Sequence, residues 1–470
     1  MKYSIKSALL CLCVVASSQA LAKNSISDDK FRQLEENLPT PNTYRTASGA
    51  PGHQYWQQDV DYKINITLND EKQTLSGSET IDYTNNSPDT LRYLWLQLDQ
   101  NKLAENAGAK TTRSAPDKKV TYSGLRNAIE TEAFNGGYNI TQVAGSNGKD
   151  LPYVINGTMM RIDLPKSLKS GDSVELNINW NYQLHEQKVL GGRSGYEYFK
   201  EDDNYLYEVA SWFPRAAAYY DVMGWQNKQF IGSGEFTLPA DHVVAATGVL
   251  QNPKQVLSKT QRNRLAKAKK ANKPVLVITP EEALENEKSR SSKTKTWEFE
   301  AKNVRDFAFA SSRKFIWDAQ GYKGGKTETM AMSYYPNEGN PLWEKYSTES
   351  IIHTMEQYNK YTFDYPYPVS ISVNGPVGGM EYPMITFNGP RPTLDKKTGE
   401  KTYSRATKYG LVGVIIHEVG HNYFPMIVNS DERQWTWMDE GLNTFLQFVA
   451  EQAWEEGYPS RRGDAANITS

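Results

Sequence analysis

Between Tyr55 and Leu250 apolar and polar residues alternate over short runs. Tyr62–Leu68 (YKINITL), Leu91–Leu98 (LRYLWLQL) and Val174–Trp180 (VELNINW) follow the two-residue period of half-buried β-strands. Turn-forming clusters, Asn85-Asn-Ser-Pro88 and Ser170-Gly-Asp172, separate such runs, and the pattern predicts a large antiparallel β domain. It is interrupted over 254–295. There Lys259–Lys270 (KTQRNRLAKAKK) is strongly basic, and Thr279-Pro-Glu-Glu282 has the form of a capping box that opens a short helix. The basic run reads as a solvated helix or an insertion between strands, with an anionic contact site as the other reading. Strand character resumes at Thr296-Trp-Glu-Phe-Glu300 and runs to about Trp317.

From about Asp318 the spacing lengthens to that of helices with interspersed strand. Ser347–Tyr361 carries Ile351, Ile352, Met355 and Tyr358 on one face, and Leu411–Phe424 and Leu442–Trp454 are two further helices. The sequence therefore divides into a leader, 1–22, a β domain, 23–318, with its charged insertion at 254–295, and a more helical domain, 319–470. The fold class is α+β.

The leader has Lys2 and Lys6, an apolar stretch Ala8–Ala16 and the small-x-small triplet Ala20-Leu21-Ala22. This is the form of a secretory signal peptide, and it places the protein in the periplasm or outside the cell. Both cysteines, Cys11 and Cys13, lie inside it, so the mature chain would have no disulfide, thiol nucleophile or thiolate metal ligand. No other apolar run reaches the roughly 18 residues of a membrane helix. A net charge of -2 over 470 residues argues against a dedicated nucleic-acid binder.

The most informative segment is His417-Glu418-Val-Gly-His421. On a helix, residues four apart share a face one turn from each other, so two imidazoles can bind a single Zn²⁺. Glu418 is offset from the first ligand and reaches a metal-activated water as general base. A catalytic zinc needs a third protein ligand and an open position. Glu440, with eighteen residues between it and His421, can return on a second antiparallel helix to supply it. Asp439 is the fallback ligand or a hydrogen-bond partner to one. Leu411, Val412, Ile415 and Ile416 bury the helix, Gly420 admits a neighbouring backbone, and Pro425 ends it.

Upstream lies Gly375-Pro-Val-Gly-Gly-Met-Glu-Tyr-Pro-Met-Ile385. Gly378 and Gly379 leave a backbone edge that an extended peptide can approach. Glu381 beside it can hold a cation, which in an exopeptidase is the substrate's α-ammonium. The plainer reading is a glycine turn with a solvated carboxylate.

Together these motifs resemble the gluzincin zinc aminopeptidases related to aminopeptidase N. The resemblance covers the chain from roughly residue 50 onward. It implies a thermolysin-like, mainly α catalytic domain, one zinc held by His417, His421 and Glu440, and peptide substrates with a free N-terminus. It also implies that Gly378, Gly379 and Met380 bind peptide backbone while Glu381 holds the amine. Glu208, within Tyr207-Glu-Val-Ala-Ser-Trp-Phe-Pro214, matches a residue that assists Glu381 in that family. Tyr382 stands where the family has Asn. The family's catalytic tyrosine and its helical C-terminal domain would follow Ser470, so the resemblance points to a C-terminally truncated member with an incomplete catalytic domain. Tyr423, two residues past His421, points in the wrong direction to replace that tyrosine. The expected function is a zinc-dependent aminopeptidase. A thermolysin-type zinc endopeptidase and a non-catalytic peptide-binding protein on a peptidase scaffold are the alternatives.

Overall fold

The computed structural model describes residues 41–108, 121–221, 224–226, 231–430 and 436–460. The signal-peptide reading of residues 1–22 lies outside the described residues. The chain falls into two units, Met1–Trp56 and Gln57–Ser470. In the first, the described residues form a turn closed by a bridge between Arg45 and Pro51. The remainder concerns the second.

Its largest sheet has seven strands in the order 249–250, 294–304, 231–239, 59–69, 74–84, 173–183, 139–145. Asp59–Asn69 shows why these segments are strands: Val60, Tyr62, Ile64, Ile66 and Leu68 are buried and the residues between them face outward. A one-residue slip would expose all five. Strand 173–183 repeats the device with Leu176, Ile178, Trp180 and Tyr182. The sheet is antiparallel except for the pairing of 59–69 with 231–239. Two four-stranded sheets, 215–216/91–97/159–168/153–156 and 243–246/309–312/204–209/195–199, complete the β-rich part. The three alternating runs noted in the sequence lie in these strands, save Leu98, which follows its strand.

The helices after Asp318 rest on a six-stranded mixed sheet in the order 275–278, 316–322, 329–335, 369–374, 385–388, 379–382. Two of its pairings are parallel. Strand Ile316–Tyr322 spans the point where the composition changes, and its outer partner, Val275–Ile278, comes from within the charged insertion. The capping box expected at Thr279 forms, and the structure adds a second at Ser258. Ser258 caps Lys259–Ala268 and Thr279 caps Pro280–Asn286.

The long helix, Leu342–Tyr361, begins five residues before its predicted start, with Trp343, Ile351, Met355 and Tyr358 buried. Arg405–Gly420 also starts earlier than the apolar run suggests, because Ser404 accepts a hydrogen bond from the Thr407 amide and caps it. Past its exposed first turn it is largely buried, as befits a core helix. Regular helix stops at Gly420, and a wider turn, Asn422–Ile427, carries Pro425. The return helix, Glu440–Trp454, begins with Glu440 as its first residue.

Candidate metal centre

The end of the helix Arg405–Gly420 and the residue that caps it face the start of the return helix. His417 and His421 lie one turn apart with their Nε2 atoms 3.1 Å from each other. Glu440 Oε2 stands 3.5 Å from His417 Nε2 and 3.7 Å from His421 Nε2. Two zinc bonds of about 2.1 Å meeting at a tetrahedral angle separate their donor atoms by roughly 3.4 Å, so the dimensions and chemistry of this donor set suit one zinc ion.

The far side of each imidazole is tied down. His417 Nδ1 donates to Gln447 Oε1 at 2.9 Å. His421 Nδ1 donates to the Phe424 carbonyl at 2.9 Å, and the Asp439 carboxylate approaches the same nitrogen to 2.9 Å. Protonated Nδ1 leaves the Nε2 lone pair free to face an ion. Asp439 therefore stands behind the imidazole of His421, and Glu440 faces the Nε2 atoms of both histidines. Gln447 donates in turn to Glu451 Oε1 at 2.8 Å and to the Gly413 carbonyl, while Asn443 Nδ2 donates to the His417 carbonyl at 2.9 Å. Gln447 and Asn443 did not emerge from the motif. Their signal was the spacing 440, 443, 447, which puts all three on one face of the return helix.

Gly420 admits side chains and not a backbone. A Cβ there would stand 2.3 Å from both the Asn443 amide oxygen and the Tyr358 hydroxyl, which are hydrogen-bonded to each other at 2.7 Å. That contact clamps the ligand helix, the return helix and the long helix together. Tyr423 is fully buried, donates to Asn359 Oδ1 at 2.6 Å and packs against Tyr358, Phe363 and Tyr365. It is a core residue, as its direction on the helix predicted.

The centre is open on one side. His421 is 1% exposed and Glu418 5%, whereas the Glu440 side chain is 48% exposed. Glu418 and Glu381 share the pocket with His421, one ligand-type atom of each lying within 4.8 Å of the others. Burial drives the Glu418 carboxyl well above its usual pKa, and the Glu381 and Glu440 charges push it further, against the pull of His421. Burial likewise raises Glu381. For His421 burial opposes the charged form, yet Asp439, Glu381 and Glu418 together lift it to about 10. The carboxylates outnumber the imidazoles, so the cluster attracts positive charge.

Glu381 sits on the strand Gly379–Tyr382, the edge of the six-stranded sheet, where it is paired with Thr386. A side chain at Gly379 would place its Cβ 2.5 Å from Glu418 Oε1. The glycine is what allows this edge to lie against the carboxylate. Gly378 precedes it in open space, and Met380 is partly buried. The plainer reading of this segment, a turn with a solvated Glu, does not hold. Glu208 is placed differently. It is sealed at 0% exposure in the strand Asn204–Val209 and accepts from the Val377 amide at 2.8 Å. Its other carboxylate oxygen has no hydrogen-bond partner among the described residues. It thus braces the loop before the glycine strand and is not part of the carboxylate–imidazole cluster.

No protein-family model matches this chain, and no curated protein matches it by sequence. Solved structures do match its fold. An M1 zinc metallopeptidase from Deinococcus radiodurans superposes with a TM-score of 0.51 at 15% identity, over 87% of this chain and 73% of that one. A mutant of the M1 zinc metallopeptidase from that organism, bound to a Tyr-Ser-Ala substrate, gives 0.50 at 14% identity over 87% and 74%. A two-domain M1 zinc metallopeptidase mutant bound to L-arginine gives 0.51 at 14% identity over 87% and 74%. In fold, this chain is similar to the M1 zinc metallopeptidases.

Proposed function

We propose that this protein is a zinc-dependent aminopeptidase that removes the N-terminal residue from peptides. The observation that carries the proposal is the convergence of His417, His421 and Glu440 on one point, with Glu418 and Glu381 facing it from an open cleft. His417, His421 and Glu440 would hold one Zn²⁺, which when bound supplies Lewis-acid activation of water and of the scissile carbonyl. Glu418 takes a proton from the attacking water onto its carboxylate. It then delivers that proton to the departing amine nitrogen as the carbon–nitrogen bond breaks. The edge strand Gly378–Met380 receives the substrate backbone, and Glu381 pairs with the α-ammonium. That ion pair fixes the register, so the first peptide bond is the one presented to Glu418. Glu208 supports this arrangement through the loop it braces. The leader at 1–22 makes export to the periplasm or the cell exterior part of the same proposal.

The test is a comparison of substrates. Glu381→Ala is expected to lower kcat/KM on peptides with free N-termini by about 10- to 100-fold, the worth of a lost charge-assisted bond. N-acetylated peptides should be poor substrates of both forms. Equal losses on free and acetylated peptides would overturn the amine anchor. Efficient cleavage of acetylated peptides by the unaltered protein would favour an endopeptidase.

A further inference from the structure

A second cavity, of about 440 Å³, shares no lining residue with the metal centre. Its size is within the roughly 300–1,000 Å³ of small-molecule sites. The walls come from three elements far apart in sequence: Trp297 and Phe299 of the large sheet, Trp317 and Tyr334 of the mixed sheet, and the basic helix Lys259–Ala268. The aromatic pairs are stacked, Trp297 on Phe299 and Trp317 on Tyr334 at 5.0 Å between the latter rings. The helix sits this close because Gly321 lacks a side chain; a Cβ there would be 2.3 Å from the Lys269 carbonyl.

The polar groups on the wall are one-sided. Arg262, Leu265 and Lys269 recur at helical spacing and all line the cavity. Arg262 is partly buried and donates to the Leu257 carbonyl, while Lys269 stands at the rim with its side chain 59% exposed, so the run is solvated, as first read, and borders the cavity with one face. Lys323 joins from the facing strand connection, and Glu328 is the opposing carboxylate, 3.0 Å from Lys269. The indole N–H groups of Trp297 and Trp317 have no hydrogen-bond partner among the described residues. The surplus is therefore of cations and donors over an aromatic and aliphatic interior.

We propose that this cavity binds a free long-chain fatty carboxylate, its chain among the aromatic walls and its head between Arg262, Lys269 and Lys323. Charge complementarity selects the anion, and the single charged end over apolar walls selects a molecule with one polar terminus. The test is titration of the full chain with a terminally brominated dodecanoate, below its micelle-forming concentration, read by quenching of tryptophan emission. Saturable quenching is expected, diminished in Trp297→Phe and Trp317→Phe. The methyl ester and the alkylamine of equal length should bind at least about tenfold more weakly. The same loss is expected for the exposed-charge variant Arg262→Gln/Lys269→Gln/Lys323→Gln. Each added methylene should tighten binding by up to roughly fourfold until the cavity is filled. Quenching that does not saturate, that ignores the head group, or that persists unchanged in the charge variant overturns the proposal. So does tighter binding of an apolar peptide carboxylate or of phospholipid vesicles at the same tryptophans. Metal content and peptidase activity do not enter the readout, so this proposal and the one for the metal centre stand or fall separately.

Discussion

Glu418 and Asp318 are both buried carboxyl groups whose pKa burial raises, yet their surroundings differ in kind. Asp318, on a strand of the mixed sheet, is 1% exposed. It accepts from the Tyr335 hydroxyl at 2.8 Å and the Thr348 hydroxyl at 2.5 Å. Thr348 continues to Ser333 at 2.7 Å, and Ser333 to Ser347 at 2.7 Å. The donors in this network are neutral hydroxyls. Glu418 faces two other carboxylates and an imidazole beside an open cleft. A buried acid satisfied by neutral donors holds strand to helix; one pressed among like charges holds a place for something cationic. Fold and chemistry can thus be separated by substitution, and the expected consequences follow in decreasing size.

The largest is at Glu418. Glu418→Gln keeps the side chain's size and leaves the ligand trio intact, but removes the proton acceptor. Turnover should fall by about 10²- to 10⁴-fold, or about 3–5 kcal/mol in barrier. Zinc content measured by atomic absorption should be unchanged. Full turnover in that variant would remove Glu418 from the role of base and erase the distinction from Asp318.

The two groups were not equally legible in the sequence. The His417–His421 spacing and the return of Glu440 are local facts of helix geometry, and the structure places all three as the motif implied. The alternating runs were legible for the same reason: period two needs no knowledge of partners. The Asp318 network joins residues from Asp318 to Thr348 through contacts that no periodicity announces, since Ser and Thr in strands and helices are ordinarily silent. Strand Val275–Ile278 was masked by its charged flanks and identifiable only from its partner, Ile316–Tyr322. Gln447 could have been found by asking which residue on the face of Glu440 reaches back to His417. Glu208 is the opposite case. Its place in a family motif drew it toward the substrate amine; in the structure one of its carboxylate oxygens accepts from the Val377 amide.

The next effect is one of stability. The Asp318 pKa is raised from 3.8 to about 7, chiefly by burial, with the two hydroxyl donors opposing and Glu344 adding slightly. The native state therefore binds this proton more tightly than the unfolded chain. That contribution is fully present below about pH 4 and is lost as pH rises through about 7, on the order of 4 kcal/mol if the whole shift is expressed. In urea unfolding, Asp318→Asn should remove this part of the pH dependence. The variant should gain on the unaltered protein steadily from pH 4 to pH 8. Parallel stability curves across that range would show that the carboxyl is not protonated in the native state.

The smallest effect distinguishes a ligand from the residue that aims it. Gln447 does not face the ion's position; it fixes the proton on His417 Nδ1 and is itself held by Glu451 and the Gly413 carbonyl. Gln447→Met keeps the volume and removes the acceptor, leaving His417 free to rotate and to change tautomer. Zinc affinity, measured by competition with a chromogenic chelator, should fall by about 10- to 100-fold. Turnover per bound zinc should change far less, because Glu418 and Glu381 are untouched. Gln447→Glu restores an acceptor and should recover part of the affinity, offset by repulsion from Glu451. A methionine variant that binds zinc as tightly as the unaltered protein would mean that Asn443 and helix packing alone orient His417.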